Sequence, residues 1–407
     1  MEMSSHQVDS LTSAASGLII SGFRGVKRSS FLRESALRMF LHFLQSIFLW
    51  FLILLPLRWV RSSLLAVQAW SLLRRRDGEF KKGERWSAVE EEDAKRRRAL
   101  AERVEMGFSS EGKWGKGENG RLQCESFVLY GTMRNELFCR SWLPADGKMK
   151  AILVIMHGLN EHSGRYVHFA SQLTASNFGV YAMDWIGHGG SDGLHGFVPS
   201  LDWVVADTEI FLEKIRSENP GVPCFLFGHS TGGAVVLKAA LFSHMESMLE
   251  GIILTSPALR VKPPHAFLLA VAPLLSLVLP KYQLREGNEV DIPVSRDLSA
   301  MQAKYSDPLV YTGPIRVRTG YEILRISSYL MQNLRSVTIP FLVLHGTADK
   351  VTDPLASKDL YNEAASKHKS IKLYDGFLHD LLFELERDEI GAHIINWMEG
   401  RLQQQRS

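Results

Sequence analysis

From about residue 125 onward, short runs of consecutive apolar residues alternate with stretches of helical spacing. The runs are AILVIMHG, VYAMDW, PCFLFGHS, GIILTS, FLVLHG and SIKLYDG. Runs of this length without polar alternation suit strands buried on both faces, and helical spacers between them predict a parallel sheet covered on both sides. Two earlier segments, ESFVLYG and ELFCRSWLP, read as strands that form an antiparallel edge. No internal repeat is visible. The pattern predicts an α/β domain over residues 125–407.

The chain ahead of that domain has a different character. Residues 1–38 form a serine-rich, basic N-terminal tail, which reads either as a cytosolic tail or as an organellar transit sequence. Glu2, Asp9 and Glu34 weaken the second reading. Residues 39–73 are a candidate membrane anchor. Within them MFLHFLQSIFLWFLILLPL, Met39 to Leu57, holds no Asp, Glu, Lys or Arg. As a helix at ~1.5 Å per residue it spans roughly 28 Å, close to the ~30 Å hydrocarbon core. His42, Gln45, Ser46 and Pro56 leave a second reading open, a helix packed on the catalytic domain. Basic residues flank the stretch on both sides, so the positive-inside rule gives no orientation.

Residues 74–124 read as a charged helical linker. WSAVEEEDAKRRRALAERVE predicts a helix opened by a capping box, Ser87 with Glu90, with pairs Glu91–Lys95 and Glu92–Arg96. The expectation is a solvated helix; contact of its basic face with lipid headgroups is the lesser reading. Five glycines over 107–120 then predict a loop.

Charge and composition narrow the chemistry. The 407 residues carry 47 Lys and Arg against 44 Asp and Glu, a net charge of +3, so no nucleic-acid surface is expected. Cys124, Cys139 and Cys224 lack CxxC spacing, which argues against a disulfide framework and a zinc site and fits a reducing compartment. There is no HExxH, Walker A or EF-hand sequence. GHGGSDG, Gly187 to Gly193, is not a GxGxxG opening a helix after a strand. Neither metal nor organic cofactor is expected, and the oligomeric state is not legible.

The densest signal is PCFLFGHSTGGAVVLKAALF, in which a strand runs through Gly228-His229-Ser230-Thr231-Gly232 into a helix. This is GxSxG in its required strand–turn–helix setting, so Ser230 is the candidate nucleophile. A serine hydroxyl needs a base, and the base an orienting acid, each after a later strand. FLVLHGTADKVTD supplies Asp349 and SIKLYDGFLHDLLFE supplies His379. Asp353 competes as the acid, but Asp353-Pro354 reads as the cap of the next helix. His345 precedes the acid loop and reads as structural; His393 falls in a helix. The backbone N–H groups of Leu159, after His157-Gly158, and of Thr231 are the candidate oxyanion donors.

Taken together, HGLNEHSGRY, MDWIGHGGSDG, GHSTGG, TSPAL, YSDPLV, HGTADKVTD and DGFLHDLLFE resemble the monoacylglycerol lipase-like α/β hydrolases, in particular plant members described as caffeoylshikimate esterase-like. The resemblance covers roughly 125–400. It implies an α/β-hydrolase fold, a mostly parallel eight-stranded sheet with an inserted helical cap at about 260–336, preceded here by the N-terminal hydrophobic helix. It implies Ser230, Asp349 and His379 as the triad and Leu159 and Thr231 as the oxyanion hole. Thr231 stands where many relatives have Met.

The implied substrate is a lipid ester, monoacylglycerol foremost. Lysophospholipids, phenolic esters and acyl transfer to another alcohol stay open. His188-x-x-x-Asp192 and His345-x-x-x-Asp349 are each one residue short of the acyltransferase HxxxxD. A non-catalytic ligand receptor on the same fold is the non-enzyme alternative. The apolar run Pro263 to Pro280 is expected to line an acyl channel and, with residues 39–57, to touch a membrane; the other reading is an ordinary cap helix packed on the core. The expected location is a membrane, with the catalytic domain on the cytosolic side; a plastid is the alternative.

Overall fold

The computed structural model describes residues 87–110, 123–145, 147–261, 266–283 and 292–404. The N-terminal tail and the apolar stretch 39–73 lie outside the described residues, as do 111–122. Among the described residues no helix is long and apolar enough to cross a membrane.

Helix α1 (Ala88–Ser110) precedes an antiparallel pair, β1 (Gln123–Tyr130) and β2 (Glu136–Leu143). Then come β3 (Ala151–Met156), α2 (Val167–Ala175), β4 (Phe178–Met183), α3 (Leu201–Glu218), β5 (Cys224–His229), α4 (Thr231–Ala239) and β6 (Gly251–Thr255). The insertion holds α5 (Ala266–Val278), α6 (Leu298–Ser306) and α7 (Val317–Gln332). The chain closes with β7 (Phe341–Gly346), α8 (Pro354–Glu363), β8 (Lys369–Tyr374) and α9 (Arg387–Gln404). The eight strands form one sheet in the order β1-β2-β4-β3-β5-β6-β7-β8. β2 pairs antiparallel with β1 and β4, and the remaining pairs are parallel.

Every residue of β3 to β7 is buried. The two-residue side-chain period divides each strand between two cores. Ile152, Val154 and Met156 join α3, α4, α7 and α8 through Phe211, Val235, Ile326 and Leu360. Leu153 and Ile155 face α2 and α9, meeting Phe169, Leu173, Ile394 and Met398. The uninterrupted apolar runs of the sequence are the strands with helices on both faces.

Three expectations need correction. First, α1 is not a solvated linker. Its capping box forms, Ser87 N–H donating to Glu90 Oε2 at 2.8 Å and Glu90 N–H to Ser87 Oγ at 3.3 Å. Yet Ala94, Arg97 and Ala101 are buried against the rest of the domain, and Glu90 pairs with Lys281 of the insertion. Asp93 pairs with Arg96 and Arg97, whereas Glu91–Lys95 and Glu92–Arg96 are not among the ion pairs of the described residues. A face built on alanine and a hydrogen-bonded arginine does not register as apolar.

Second, the helix runs to Ser110 and so includes Gly107, where a loop was expected to begin; residues 111–120 lie outside the described residues. Third, the insertion at 260–336 is not all dispensable to the sheet. α7 buries Ile323, Ile326 and Leu330 and packs on α4 and α3, as well as on α5, as the crossover between β6 and β7. A parallel connection needs such a helix, so this part of the insertion belongs to the sheet's cover.

Candidate active site

The site grows from the end of β5. Ser230 sits between that strand and α4 with φ 53° and ψ −119°, a left-handed backbone that strains a residue bearing a Cβ. The turn closes because its flanks lack side chains. A Cβ on Gly228 would stand 2.4 Å from the Gly232 carbonyl oxygen; one on Gly232 would stand 2.3 Å from the carbonyls of Met156 and His157. The hydroxyl is thereby lifted above the sheet beside the first turn of α4, where backbone N–H groups have no intrahelical acceptor.

The loops after β7 and β8 deliver the other two candidates. His379 Nε2 lies 2.9 Å from Ser230 Oγ, and His379 Nδ1 lies 2.7 Å from Asp349 Oδ2. All three side chains are buried. Asp349 is held from both sides. Its Oδ1 accepts from the N–H groups of Val351 (2.7 Å) and Thr352 (3.1 Å), and its Oδ2 also meets His345 Nε2 (3.0 Å) and Thr352 Oγ1 (2.8 Å). Burial alone would raise this carboxyl, but the charge of His379 and hydrogen bonds from His345 and His379 outweigh it and hold it well below the ordinary range. An ionised carboxylate only accepts, so His379 carries its proton on Nδ1 and offers Nε2 to the serine.

Asp353, the rival acid, caps α8 through Leu355 N–H at 2.9 Å and pairs with Arg260 at 2.9 Å. His345 is structural in a fuller sense than its position suggested. It is a second imidazole on the same carboxylate oxygen, with its Nδ1 2.8 Å from Ser357 Oγ.

Leu159 follows β3, where Gly158 N–H donates to Glu161 Oε1 at 2.6 Å. Glu161 begins a buried ionic cluster that sequence reasoning missed. It pairs with Arg165 and accepts from Tyr166 OH at 2.7 Å. Arg165 reaches Asp380 Oδ2 at 3.5 Å, and Lys304 of α6 reaches the same atom at 2.9 Å. Asp380 Oδ1 lies 3.2 Å from His229 Nε2, whose ring is 4.9 Å from that of His379. Burial pushes both carboxyls up. For Glu161 the Arg165 charge more than offsets it, down to about 2; for Asp380 the Lys304 charge, the His229 hydrogen bond and Arg165 hold it well below the ordinary range. The members come from four separate stretches of chain, and only Glu161 and Arg165, at i and i+4, share a local signal.

The insertion is tied to this floor. His162 Nε2 lies 2.8 Å from Asp307 Oδ2, and Tyr311 N–H donates to the Asn160 carbonyl at 2.9 Å. Ligand atoms of His229, His379 and Asp380 lie within 4.8 Å of one another. Two cations already occupy Asp380, and His379 serves the serine, so the trio does not make a metal centre. GHGGSDG forms a buried turn with positive φ at Gly187, Gly189 and Gly193, packed against α1 and β2.

The family described as serine aminopeptidase, S33, matches residues 147–386. Human monoglyceride lipase is 35% identical over 252 residues, covering 61% of this chain and 81% of that lipase. This chain belongs to the monoglyceride lipase-like α/β hydrolases. The caffeoylshikimate esterase of Arabidopsis thaliana is 33% identical to the hydrolase over 260 residues, covering 62% of the chain and 78% of that esterase. Among solved structures, the Paleococcus ferrophilus monoacylglycerol lipase superposes with a TM-score of 0.57 at 29% identity, over 69% of the hydrolase and 99% of that chain. A soluble variant of the Saccharomyces cerevisiae monoglyceride lipase gives 0.60 at 22% identity and supports the fold.

Proposed function

We propose that the hydrolase cleaves carboxylic esters of lipids, with monoacylglycerol giving a free fatty acid and glycerol. The observation that carries this is the hydrogen-bonded line from Ser230 Oγ through His379 to the buried Asp349 carboxylate. In the proposed cycle Ser230 attacks the ester carbonyl while His379 Nε2 takes its proton, and Asp349 steadies the imidazolium that forms. The N–H groups of Leu159 and Thr231 receive the oxyanion. His379 then protonates the leaving alkoxide. Water, activated by the same imidazole, releases the acid and restores Ser230.

The relatives' names support a monoacylglycerol over the other lipid esters. The insertion supports an apolar acyl group: α5 reads AFLLAVAPLLSLV, and Leu274, Leu277, Val278 and Leu279 along its end are exposed. We include in the proposal that this helix meets a lipid surface, together with residues 39–57, placing the enzyme on a membrane with its catalytic domain cytosolic.

The test is a panel of monoacylglycerols, lysophospholipids and phenolic esters, assayed with the full chain and with Ser230→Ala. Fastest turnover of monoacylglycerols, abolished by the substitution, is the expected result. Fastest turnover of a phenolic ester would transfer the assignment to the esterase reading, and activity that survives Ser230→Ala would end the mechanism.

A further inference from the structure

Helix α1 lies ahead of the segment matched by the family, yet two of its arginines enter the domain. The Arg97 side chain is 2% exposed. Its Nη1 donates to the carbonyls of Gly189 and Ser191, its Nη2 to that of Gly193 at 2.7 Å, and its Nε to Asp93 Oδ2 at 3.0 Å. Arg98 Nε takes the Gly190 carbonyl at 2.9 Å, and the Asp192 carbonyl accepts from Gly187 N–H at 2.6 Å. The left-handed turns at Gly189 and Gly193 keep this loop out of any ladder, so its buried carbonyls need donors from elsewhere. The guanidinium fork supplies several from one rigid plane, which a lysine ammonium does not.

What that loop touches is the oxyanion side of the site. Gly190 N–H donates to Asp184 Oδ2 at 2.9 Å, and Ser163 N–H donates to Asp184 Oδ1 at 2.7 Å. The packing leaves no slack: a Cβ on Gly189 would fall 1.9 Å from Asp184 Oδ2. A second route runs beside the first. The buried Arg140 joins the Ala101 carbonyl of α1, at 3.3 Å, to Ser163 Oγ, at 3.1 Å. Ser163 ends the short loop that begins at Gly158 and Leu159. Helix α1 therefore grips both the glycine loop and, through Asp184 and Arg140, the far end of the loop that carries Leu159 N–H.

We propose that Arg97 is a positioning residue for ester hydrolysis, acting through the Gly187–Gly193 loop and Asp184 to set where Leu159 N–H points. This rests on the roles proposed above for Ser230 and Leu159. Catalytic donors lose their effect over small displacements; a ~1 Å misplacement costs on the order of 100-fold.

The experiment uses the full chain with Arg97→Lys, Arg97→Met and Arg140→Lys. Active sites are counted with a fluorophosphonate, and kcat and KM are measured on p-nitrophenyl butyrate. The inhibition constant of a trifluoromethyl ketone, whose adduct with serine bears an oxyanion, is measured beside them. For Arg97→Lys we expect kcat per counted site to fall about tenfold or more, KM to stay within about twofold, and the ketone constant to rise by the same factor as kcat falls. Arg97→Met should be worse; should it not fold, Arg97→Lys decides. Arg140→Lys should move the same two constants in the same direction.

A merely structural arginine would lower the thermal midpoint and leave both constants per counted site within twofold, which overturns the inference. So would a fall in kcat without the matching rise for the ketone. If the unaltered chain shows no Ser230-dependent turnover, it is the esterase reading that fails.

Discussion

Replacing Asp349 by asparagine removes one charge and one acceptor from the most crowded carboxylate among the described residues. Its Oδ1 receives two backbone N–H groups, and its Oδ2 receives His379 Nδ1, His345 Nε2 and the Thr352 hydroxyl. The asparagine amide has two orientations. With its NH2 at the Oδ1 place, it faces two backbone donors that cannot turn away, at about 1–3 kcal/mol for each buried group left unpaired. With its NH2 at the Oδ2 place, its two hydrogens meet two imidazoles, which can move their protons to the other nitrogen, while the Thr352 hydroxyl turns to the Ser256 carbonyl, 3.1 Å away. The second orientation wins. His379 then presents Nε2–H to Ser230 Oγ, 2.9 Å away, and cannot accept the serine proton.

The magnitude follows from losing the correct tautomer while keeping the geometry, about 10⁴ in kcat or roughly 5 kcal/mol of barrier. The assay is steady-state hydrolysis of a soluble short-chain ester at neutral pH, with circular dichroism and thermal melting to establish the fold. Asp353→Asn is the control. Asparagine caps a helix as well as aspartate, and only the partly exposed pair with Arg260 is lost, so activity should stay within about threefold and stability should fall by no more than about 1 kcal/mol. If Asp349→Asn folds and keeps kcat within about tenfold of the unaltered chain, the reasoning from donor and acceptor counts is refuted. An Asp353→Asn loss of comparable size would refute the choice of acid.

Leu274→Asp with Leu277→Asp alters two exposed positions on α5, so melting should be unchanged. Turnover of long-chain esters in vesicles should fall several-fold more than turnover of soluble butyrates, and equal losses would remove α5 from the acyl path. Gly232→Ala places a Cβ 2.3 Å from two backbone carbonyls, so the folded yield or the activity should drop by at least about 100-fold, measured by fluorophosphonate labelling of the soluble fraction. Glu161 has its carboxyl pulled from the ordinary 4.5 down to about 2. Its contribution to stability is complete above about pH 4.5 and is lost as pH falls through 2; Glu161→Gln should therefore flatten the melting-temperature curve between those limits.

The sheet was readable because each strand carries its own signal, an apolar run bounded by turn residues. The line of Ser230, Asp349 and His379 was readable because each follows a strand end and the chain order is restrictive. Ser87 and Glu90 marked the start of α1 for the same local reason. What stayed hidden depends on contacts between distant segments. Arg97 looks like a solvent-facing residue until its acceptors, nearly a hundred positions later, are seen. Lys304 and Asp380 meet across 76 residues, and no spacing rule joins them. That α7 covers the sheet was hidden because the whole stretch was assigned to an insertion; its burial on α3 and α4 identifies it as part of the cover.

The backbone conformation at Ser230 has a consequence for how long such a molecule endures. Glycine would occupy φ 53° with little penalty, whereas a serine there gives up on the order of 1 kcal/mol or more of folding free energy. The position proposed as the nucleophile is thus one where a glycine would make a sturdier protein. Durability and the hydroxyl are therefore set against each other at this one residue.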